Sequence, residues 1–143
     1  MEKRGSGVII NISSMQSRRP AGIATAYIAC KGALDAMSKD LAVLYGPKGI
    51  RVIALNPGAI DTEMSGDYEI ADGDSMTEKL RANSEDMIPM RRWGLAEEMA
   101  RTIAMLVGDD ASYITGTTIL ADGGYTVNFN PYAIKRMMFP DEY

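Results

Sequence analysis

Histidine is absent from all 143 residues of the chain. Its absence excludes Ser-His-Asp and Cys-His nucleophilic sites, metal sites with histidine ligands, and proton transfer by an imidazole. Any acid–base chemistry must therefore use tyrosine, lysine or carboxylate side chains. The single cysteine, Cys30, also excludes an internal disulfide and a zinc or iron–sulfur site built from several cysteines. We therefore expect no metal site, and this cysteine content is typical of a protein from a reducing cytosol.

Long apolar stretches are missing as well. The N-terminus has only a short apolar run before Ser13, so we predict no secretory signal. No segment approaches the roughly 20 apolar residues of a membrane-spanning helix. The net charge of −4 argues against a nucleic-acid partner, which a basic surface would attract. We expect a cytoplasmic protein that binds neither membrane nor nucleic acid.

The acidic residues are concentrated in one segment. Between Asp61 and Asp86 the local charge is −7, so the rest of the chain carries +3. Apart from a predicted short helix near 75–84, this segment shows no sustained periodicity. A long, weakly structured segment inside a compact domain is typical of a lid or a binding loop. We therefore predict an acidic lid over about 61–90.

The hydrophobic pattern alternates between strand and helix. β-branched runs predict strands at 7–13, 50–55 and 117–121, and helical periodicity predicts helices at 25–45 and 95–107. Gly46-Pro47 ends the first of these helices. Crossover connections of this length require parallel strands. The pattern predicts an α/β fold with about three parallel strands and flanking helices.

Three residues carry the predicted chemistry. Tyr27 and Lys31 are four residues apart on the first predicted helix, so they share one face, and Ser14 follows the first strand. In open α/β sheets, ligands bind at the carboxyl ends of the strands. A nearby ammonium favours the phenolate form and makes tyrosine a better acid–base group. The hydroxyl of Ser14 is then suited to hold a substrate oxygen against that of Tyr27.

Short motifs occur along the chain in a fixed order. They are Asn11-Ile12-Ser13-Ser14, Tyr27-Ile28-Ala29-Cys30-Lys31, Asn56-Pro57-Gly58-Ala59-Ile60-Asp61-Thr62, Ile114-Thr115-Gly116 and Asp122-Gly123-Gly124. Their order and spacing resemble those of the short-chain dehydrogenase/reductases, up to about residue 125. The resemblance implies a partial Rossmann-type, doubly wound fold. It also implies an NAD- or NADP-dependent oxidoreductase that transfers a hydride between a nicotinamide cofactor and a secondary alcohol or ketone.

The resemblance implies a role for each catalytic residue. Tyr27 is then the acid/base, Lys31 assists it and binds the nicotinamide ribose, and Ser14 orients the substrate.

It also implies a cofactor contact for each residue after the second strand. Pro57 and Gly58 then border the nicotinamide, the backbone of Ile60 faces its carboxamide, and Thr62 contacts the carboxamide or the phosphates. From the residues alone, Pro57-Gly58 is equally an ordinary turn that ends a strand, and Asp122-Gly123-Gly124 a tight turn that needs positive φ.

The chain departs from the family pattern at its N-terminus. A complete member begins with a strand and a Gly-rich turn that binds the cofactor pyrophosphate at a helix N-terminus. The early glycines, Gly5 and Gly7, precede a strand instead of following one. We therefore interpret 1–125 as the C-terminal, catalytic half of a Rossmann-type oxidoreductase domain. We expect the isolated chain to be weakly active or inactive.

The substrate is indicated only by position. Met15 and Gln16 follow Ser14 directly and resemble residues that line the substrate pocket in the family. Trp93 is either a side chain that closes the site or a buried anchor. The acidic lid disfavours anionic substrates, whereas Arg18-Arg19 favours them, so a neutral polyol, sugar or ketone is the preferred small-molecule substrate.

The C-terminal segment 126–143 lies beyond the last motif and is rich in aromatic residues and methionine. Such residues are enriched in the cores of interfaces. We predict an interface tail in a homo-oligomer, a dimer or a tetramer, since family members are commonly oligomeric. The alternative is that the tail folds back on its own domain.

Two hypotheses about function follow. The first is an oxidoreductase, or its catalytic half, using Ser14, Tyr27 and Lys31. The second is a non-catalytic, truncated paralogue that acts as an association module with a full-length subunit or with the missing N-terminal half. The retained catalytic trio favours the first hypothesis, and the missing phosphate-binding turn favours the second.

Overall fold

The computed structural model describes residues 1–62 and 76–143. Within them, the strands are β1 Gly7–Ile12, β2 Ile50–Pro57, β3 Ile60–Asp61, β4 Gly94–Leu95 and β5 Thr118–Ala121, and the α-helices are α1 Thr25–Tyr45, α2 Met76–Met87, α3 Ala96–Val107 and α4 Tyr132–Met138. Part of the predicted acidic lid, residues 63–75, lies outside the described residues. The chain divides into two compact units. The first is Met1–Pro57 with Glu97–Ala121, and the second is Gly58–Ala96 with Asp122–Tyr143.

The first unit is organised around a parallel sheet. In the described part of the chain this sheet has three strands in the order β1-β2-β5. The register pairs Gly7 with Ile50 on one side of β2, and Pro57 with Ala121 on the other. Because parallel neighbours need a long crossover, α1 connects β1 to β2. The predicted α/β class, with parallel strands and flanking helices, is confirmed.

Both faces of this sheet are covered. Ile50 and Val52 pack with Ala42 of α1, whereas Ile53 packs with Leu106 of α3. Side chains of adjacent strand residues point to opposite faces, so β2 supplies both cores. Burial on both faces is typical of parallel sheets and explains the continuous apolar run of this strand.

Helix α1 has the bounds that the sequence predicts, Thr25–Tyr45. Its buried residues are Asp35, Ser38 and Ala42, so two of the three are polar. Polar side chains in a buried stripe need hydrogen-bond partners. The partners of Asp35, which are Ser17 and Asn56, belong to the candidate site described below.

The second unit contains α2, α4 and the short parallel pair β3–β4, in which Ile60 pairs with Gly94. The helix predicted near 75–84 is present as α2, Met76–Met87. Leu95, predicted as the start of the next helix, instead pairs with Asp61 in β4, and α3 begins one residue later. The sequence pattern missed β3 and β4 because two-residue strands have no measurable periodicity.

The C-terminal segment is tied to α2 within the second unit. The carboxylate of Asp86 accepts a hydrogen bond from the backbone N–H of Ala133 at 2.9 Å and pairs with Arg136 at 3.1 Å. Asn128 donates its side-chain N–H to the carbonyl oxygen of Met87 at 2.7 Å. These contacts correspond to the alternative in which the tail folds back on its own chain. Its predicted contact with another subunit stays a prediction.

No helix in the described ranges is both long enough and apolar enough to span a membrane.

Candidate active site

Tyr27 and Lys31 lie on the same face of α1, in its first two turns. The ammonium nitrogen of Lys31 is 5.4 Å from the centroid of the Tyr27 ring. Tyr27 is 44% exposed, while Lys31 is half-buried. The structure therefore brings this predicted pair together and leaves the phenol accessible to a ligand.

Both the side chain and the backbone of Lys31 form hydrogen bonds with residues at the end of β1. Its Nζ donates a hydrogen bond to the carbonyl oxygen of Ile12 at 2.9 Å. The hydroxyl of Ser13 donates to the carbonyl oxygen of Lys31 at 2.8 Å. Because Ile12 and Ser13 directly precede Ser14, the helix that carries the pair is attached to the chain segment that carries the third predicted residue.

Ser14 is buried and precedes a one-turn 3₁₀ helix, Met15–Ser17. Its extended backbone makes it the N-cap residue, and its Oγ accepts a hydrogen bond from the N–H of Gln16 at 3.2 Å. This capping fixes the side-chain oxygen near the carboxyl end of β1. Met15 and Gln16, predicted to line the substrate, are half-buried within the same turn.

A cluster of buried polar side chains next to Ser14 was not predicted. Asn56, fully buried at the end of β2, lies with its amide nitrogen 2.9 Å from the carbonyl oxygen of Ser14 and 3.0 Å from Oδ2 of Asp35. Ser17 Oγ lies 2.7 Å from the same carboxylate oxygen. Asp35 is one helical turn beyond Lys31, so the four-residue spacing from Tyr27 through Lys31 to Asp35 was a signal for it.

The residues predicted to contact the cofactor follow β2. Pro57 is half-buried and pairs with Ala121 in the first unit. In the second unit, a Cβ added to Gly58 would lie 2.6 Å from Cα of Asp122. This close approach of two backbone segments requires glycine there, independently of any ligand.

Ile60 and Thr62 also belong to the second unit. Ile60 lies in β3, and its backbone pairs with Gly94. Thr62 follows that strand and is exposed. The cofactor contacts implied for Pro57, Gly58, Ile60 and Thr62 stay predictions.

The Asp122-Gly123-Gly124 turn has the predicted positive φ angles, 62° at Gly123 and 87° at Gly124. The carboxylate of Asp122 accepts hydrogen bonds from the backbone N–H groups of Gly124 at 2.9 Å and Thr126 at 2.8 Å. The carboxylate thus closes the turn on itself, and the tight-turn interpretation is confirmed.

Trp93 is half-buried in the second unit and is held against α2. Its Nε1 donates to the hydroxyl of Ser84 at 2.7 Å, and the Arg81 guanidinium lies 4.9 Å from its ring centroid. Arg81 also pairs with Asp61 at 3.0 Å and Glu85 at 3.1 Å. These contacts correspond to the anchor interpretation of Trp93.

Metal ligands are not gathered at any of these places. Across residues 1–62 and 76–143, no group of three or more cysteine, aspartate and glutamate side chains is arranged to hold a metal ion. The residues suited to an organic ligand are Tyr27 and Lys31, since the ammonium of Lys31 has N–H donors beyond the one that Ile12 accepts.

Comparison with known proteins extends over most of the chain. The chain is 38% identical over 127 residues to glucose 1-dehydrogenase 2 of Bacillus subtilis, a match that covers 89% of this chain and 46% of that protein. It is 39% identical over 127 residues to 3beta-hydroxysteroid dehydrogenase 1 of Eggerthella lenta, with the same two coverages, 89% and 46%. The chain thus spans about half the length of the curated relatives it matches.

A solved structure and a family model agree with these relatives. A short-chain type dehydrogenase/reductase from Mycobacterium ulcerans superposes with a TM-score of 0.80 at 26% identity, over 99% of this chain and 50% of that one. The family model described as enoyl-(acyl carrier protein) reductase matches residues 1–126. The matched range contains every motif on which the resemblance was based. The chain belongs to the short-chain dehydrogenase/reductase family.

Proposed function

We propose that this chain is the catalytic half of an NAD- or NADP-dependent oxidoreductase that transfers a hydride between a nicotinamide cofactor and a secondary alcohol or ketone. One observation carries the proposal. The ammonium of Lys31 lies 5.4 Å from the centroid of the accessible Tyr27 ring, and it is held there by the carbonyl oxygen of Ile12, two residues before Ser14.

Each of the three residues has a distinct part in the reaction. In the oxidation direction, the substrate carbon loses a hydride and its hydroxyl loses a proton, which Tyr27 accepts at its phenolic oxygen. Ser14 donates a hydrogen bond to the substrate oxygen and orients it. Lys31 stabilises negative charge on the phenolic oxygen. In the reduction direction, Tyr27 returns the proton to the carbonyl oxygen.

The residues present fit the nicotinamide end of the cofactor. When bound, the cofactor would supply the hydride acceptor or donor. The ammonium of Lys31 has three N–H donors, and Ile12 is its one hydrogen-bond acceptor within residues 1–62 and 76–143, so two donors remain for ribose hydroxyls. Pro57, Gly58, Ile60 and Thr62 are proposed for the nicotinamide and its carboxamide by family resemblance.

The substrate class is a neutral hydroxy compound. One relative is named as a dehydrogenase of glucose and another as a dehydrogenase of a hydroxysteroid, so both names describe the oxidation of a hydroxyl-bearing carbon in an uncharged molecule. The acidic segment between Asp61 and Asp86 would repel anionic substrates. A sugar, a polyol or a steroid alcohol therefore fits better than a carboxylate or a phosphate.

The test is hydride transfer by the purified chain, followed by the absorbance of the reduced nicotinamide, with NAD or NADP and a panel of these alcohols. We expect slow turnover that falls by about 10² to 10⁴-fold in Tyr27→Phe, because the proton acceptor is removed. Tyr113→Phe is the matched control, since Tyr113 is fully exposed. Equal rates in the Tyr27→Phe and wild-type chains would contradict the proposal.

A chimera tests the same proposal if the chain alone is too slow. The part of the Bacillus subtilis relative that lies outside the matched region, joined to this chain, would supply the rest of that relative's fold. A folded chimera that reduces no nicotinamide with any alcohol of the panel would overturn the oxidoreductase assignment.

The association module remains a second candidate. Exposed apolar side chains favour it, since Val43 of α1 and Phe129 and Met137 of the tail are each about four-fifths exposed or more. Aromatic and methionine side chains such as Phe129 and Met137 are enriched in the cores of interfaces. A chain that forms a stable complex with a full-length relative and shows no Tyr27-dependent turnover in either assay would support this candidate instead.

A further inference from the structure

Three side chains from distant parts of the chain meet in the interior next to Ser14. The amide nitrogen of Asn56 lies 2.9 Å from Ser17 Oγ and 3.0 Å from Asp35 Oδ2. Ser17 Oγ lies 2.7 Å from the same carboxylate oxygen. We call Ser17, Asp35 and Asn56 the buried polar cluster. It links the turn after β1, the helix α1 and the end of β2.

Burial of these polar side chains does not by itself favour the folded state. Asp35 is 8% exposed and Asn56 is fully buried, and a carboxylate in the interior loses its hydration. Moreover, Oδ1 of Asp35 and Oδ1 of Asn56 are buried without a hydrogen-bond partner among the described residues. Apolar side chains of similar volume would usually be no less stable at such a position. This composition favours a role in placing neighbouring groups over a role in packing.

The group that the cluster holds is Ser14. Its carbonyl oxygen is within hydrogen-bond distance of Asn56 Nδ2, at 2.9 Å, and of Ser17 Oγ, at 2.8 Å. A rotation of the Ser14 backbone would move its hydroxyl as well, because both belong to the same residue. The Ser17 hydroxyl has one proton, so it donates either to Asp35 or to the Ser14 carbonyl, whereas the two N–H groups of the Asn56 amide can serve both. Asp35 lies on α1 one turn beyond Lys31.

We propose that Asp35 and Asn56 are positioning residues, which set the orientation of the Ser14 hydroxyl relative to the helix that carries Tyr27 and Lys31. The proposal rests on the proposed function for its catalytic meaning. Asp35 acts through Ser17 and Asn56, and Asn56 acts on the Ser14 carbonyl. Neither side chain is required to touch substrate or cofactor.

Amide hydrogen exchange on the full chain tests the proposal without any enzymatic assay. The N–H of Gln16 donates to Ser14 Oγ, and the N–H of Ser17 donates to the Ser14 carbonyl oxygen. We expect Asp35→Ala to accelerate exchange at both amides by about tenfold or more, as loss of a hydrogen-bonded arrangement would. Asp35→Asn should retain slow exchange, because its amide oxygen still accepts from Ser17 and Asn56.

Ser38→Ala is the matched control. Ser38 is fully buried one turn beyond Asp35, and its hydroxyl accepts from Asn11 at 2.9 Å and donates to the Leu34 carbonyl at 2.7 Å. The Ser38→Ala substitution removes these two buried hydrogen bonds, neither of which involves residues 14–17. We expect it to lower stability while exchange at Gln16 and Ser17 stays unchanged. Equal acceleration in Ser38→Ala and Asp35→Ala would overturn the proposal.

Two further measurements test the positioning role, one with a second variant and one with enzyme kinetics. If Asp35→Ala does not fold, Ser17→Ala removes one link of the cluster at a half-buried position, and it should still accelerate Gln16 exchange. In the hydride-transfer assay, Asp35→Ala should lower kcat about tenfold with KM within about twofold, and Asp35→Asn should restore it. Unchanged Gln16 exchange in both Asp35→Ala and Ser17→Ala would overturn the positioning role. Absence of turnover in the chimera that carries the wild-type chain would overturn only the proposed function.

Discussion

Lys31 donates a 2.9 Å hydrogen bond from its ammonium group to the carbonyl oxygen of Ile12, the last residue of β1. A lysine side chain has many rotamers, and fixing one of them costs conformational entropy. The hydrogen bond to the strand offsets part of that cost. It also places the charge 5.4 Å from the centroid of the Tyr27 ring.

Replacing Lys31 by methionine should remove the charge while keeping an unbranched side chain of similar length. We expect hydride transfer to fall by about 10²-fold or more, because the positive charge 5.4 Å from the centroid of the Tyr27 ring is removed. Lys39→Met is the control, since Lys39 is an exposed lysine on the same helix. Rates of the two variants on the same alcohol and cofactor give the comparison. A rate for Lys31→Met equal to that of Lys39→Met would contradict the role of Lys31.

Two glycine-to-alanine substitutions should change stability in opposite directions. At Gly58 the new Cβ would lie 2.6 Å from Cα of Asp122, so Gly58→Ala should destabilise by about 1–3 kcal/mol. At Gly32, inside α1, a Cβ meets no atom of the described residues within 4 Å, so Gly32→Ala should stabilise by about 0.5–1 kcal/mol. Urea unfolding of both variants measures the signs. A stabilising Gly58→Ala would show that the chain after β2 does not approach Asp122 this closely.

The Asp86 carboxylate should make the attachment of the tail sensitive to acid. The backbone N–H of Ala133 lowers the pKa of Asp86 below its usual 3.8, and Arg91 and Arg136 lower it further, although burial opposes them. Because the folded-state pKa is depressed, this stabilisation is complete above the usual value and is lost as the pH falls through the depressed one.

This acid sensitivity is tested by comparing the free energy of unfolding of Asp86→Asn with that of the wild-type chain as a function of pH. We expect the variant to be less stable by about 1 kcal/mol from about pH 7 down to about pH 4, and the difference to shrink below that range. Asp141→Asn, at an exposed tail position, is the control and should show no difference. A constant deficit of Asp86→Asn down to the lowest pH would exclude a contribution from its charge.

Both faces of the three-stranded sheet are covered, so an isoleucine inside β2 should contribute more to stability than an exposed isoleucine. Ile53 is 0% exposed in β2, so Ile53→Ala should destabilise by about 2–5 kcal/mol through lost burial and the cavity left behind. Ile23, in the loop before α1, is 86% exposed, and Ile23→Ala should stay within about 0.5 kcal/mol of the wild-type chain. The midpoints of thermal unfolding compare the two. Similar losses of stability in Ile53→Ala and Ile23→Ala would contradict the assignment of Ile53 to the core.

Some elements were predictable because their signals are local. The bounds of α1, Thr25–Tyr45, followed from helical periodicity and from the Gly46-Pro47 stop. By contrast, β2 was predicted to end at Leu55 and continues to Pro57. Its last residues are in the strand because they pair with β5, and pairing with a distant strand leaves no mark on the local pattern.

The tail shows the same limit. Its composition indicated a buried or contacting surface, yet helix α4, Tyr132–Met138, was not predicted. A helix of seven residues is too short to form on propensity alone, so its partner decides whether it exists. That partner is Asp86 of α2, which accepts the N–H of Ala133 in the first turn of the helix.

The sequence by itself determined the α/β class, the order of the motifs and the pairing of Tyr27 with Lys31, because a four-residue spacing on a helix is a local geometric relation. Only the tertiary structure decided that Ser17, Asp35 and Asn56 meet beside Ser14. These residues come together only after β1 pairs with β2 and α1 packs across them. Local hydrophobic periodicity shows which face of a helix or strand is buried, but it does not specify which distant element packs against that face.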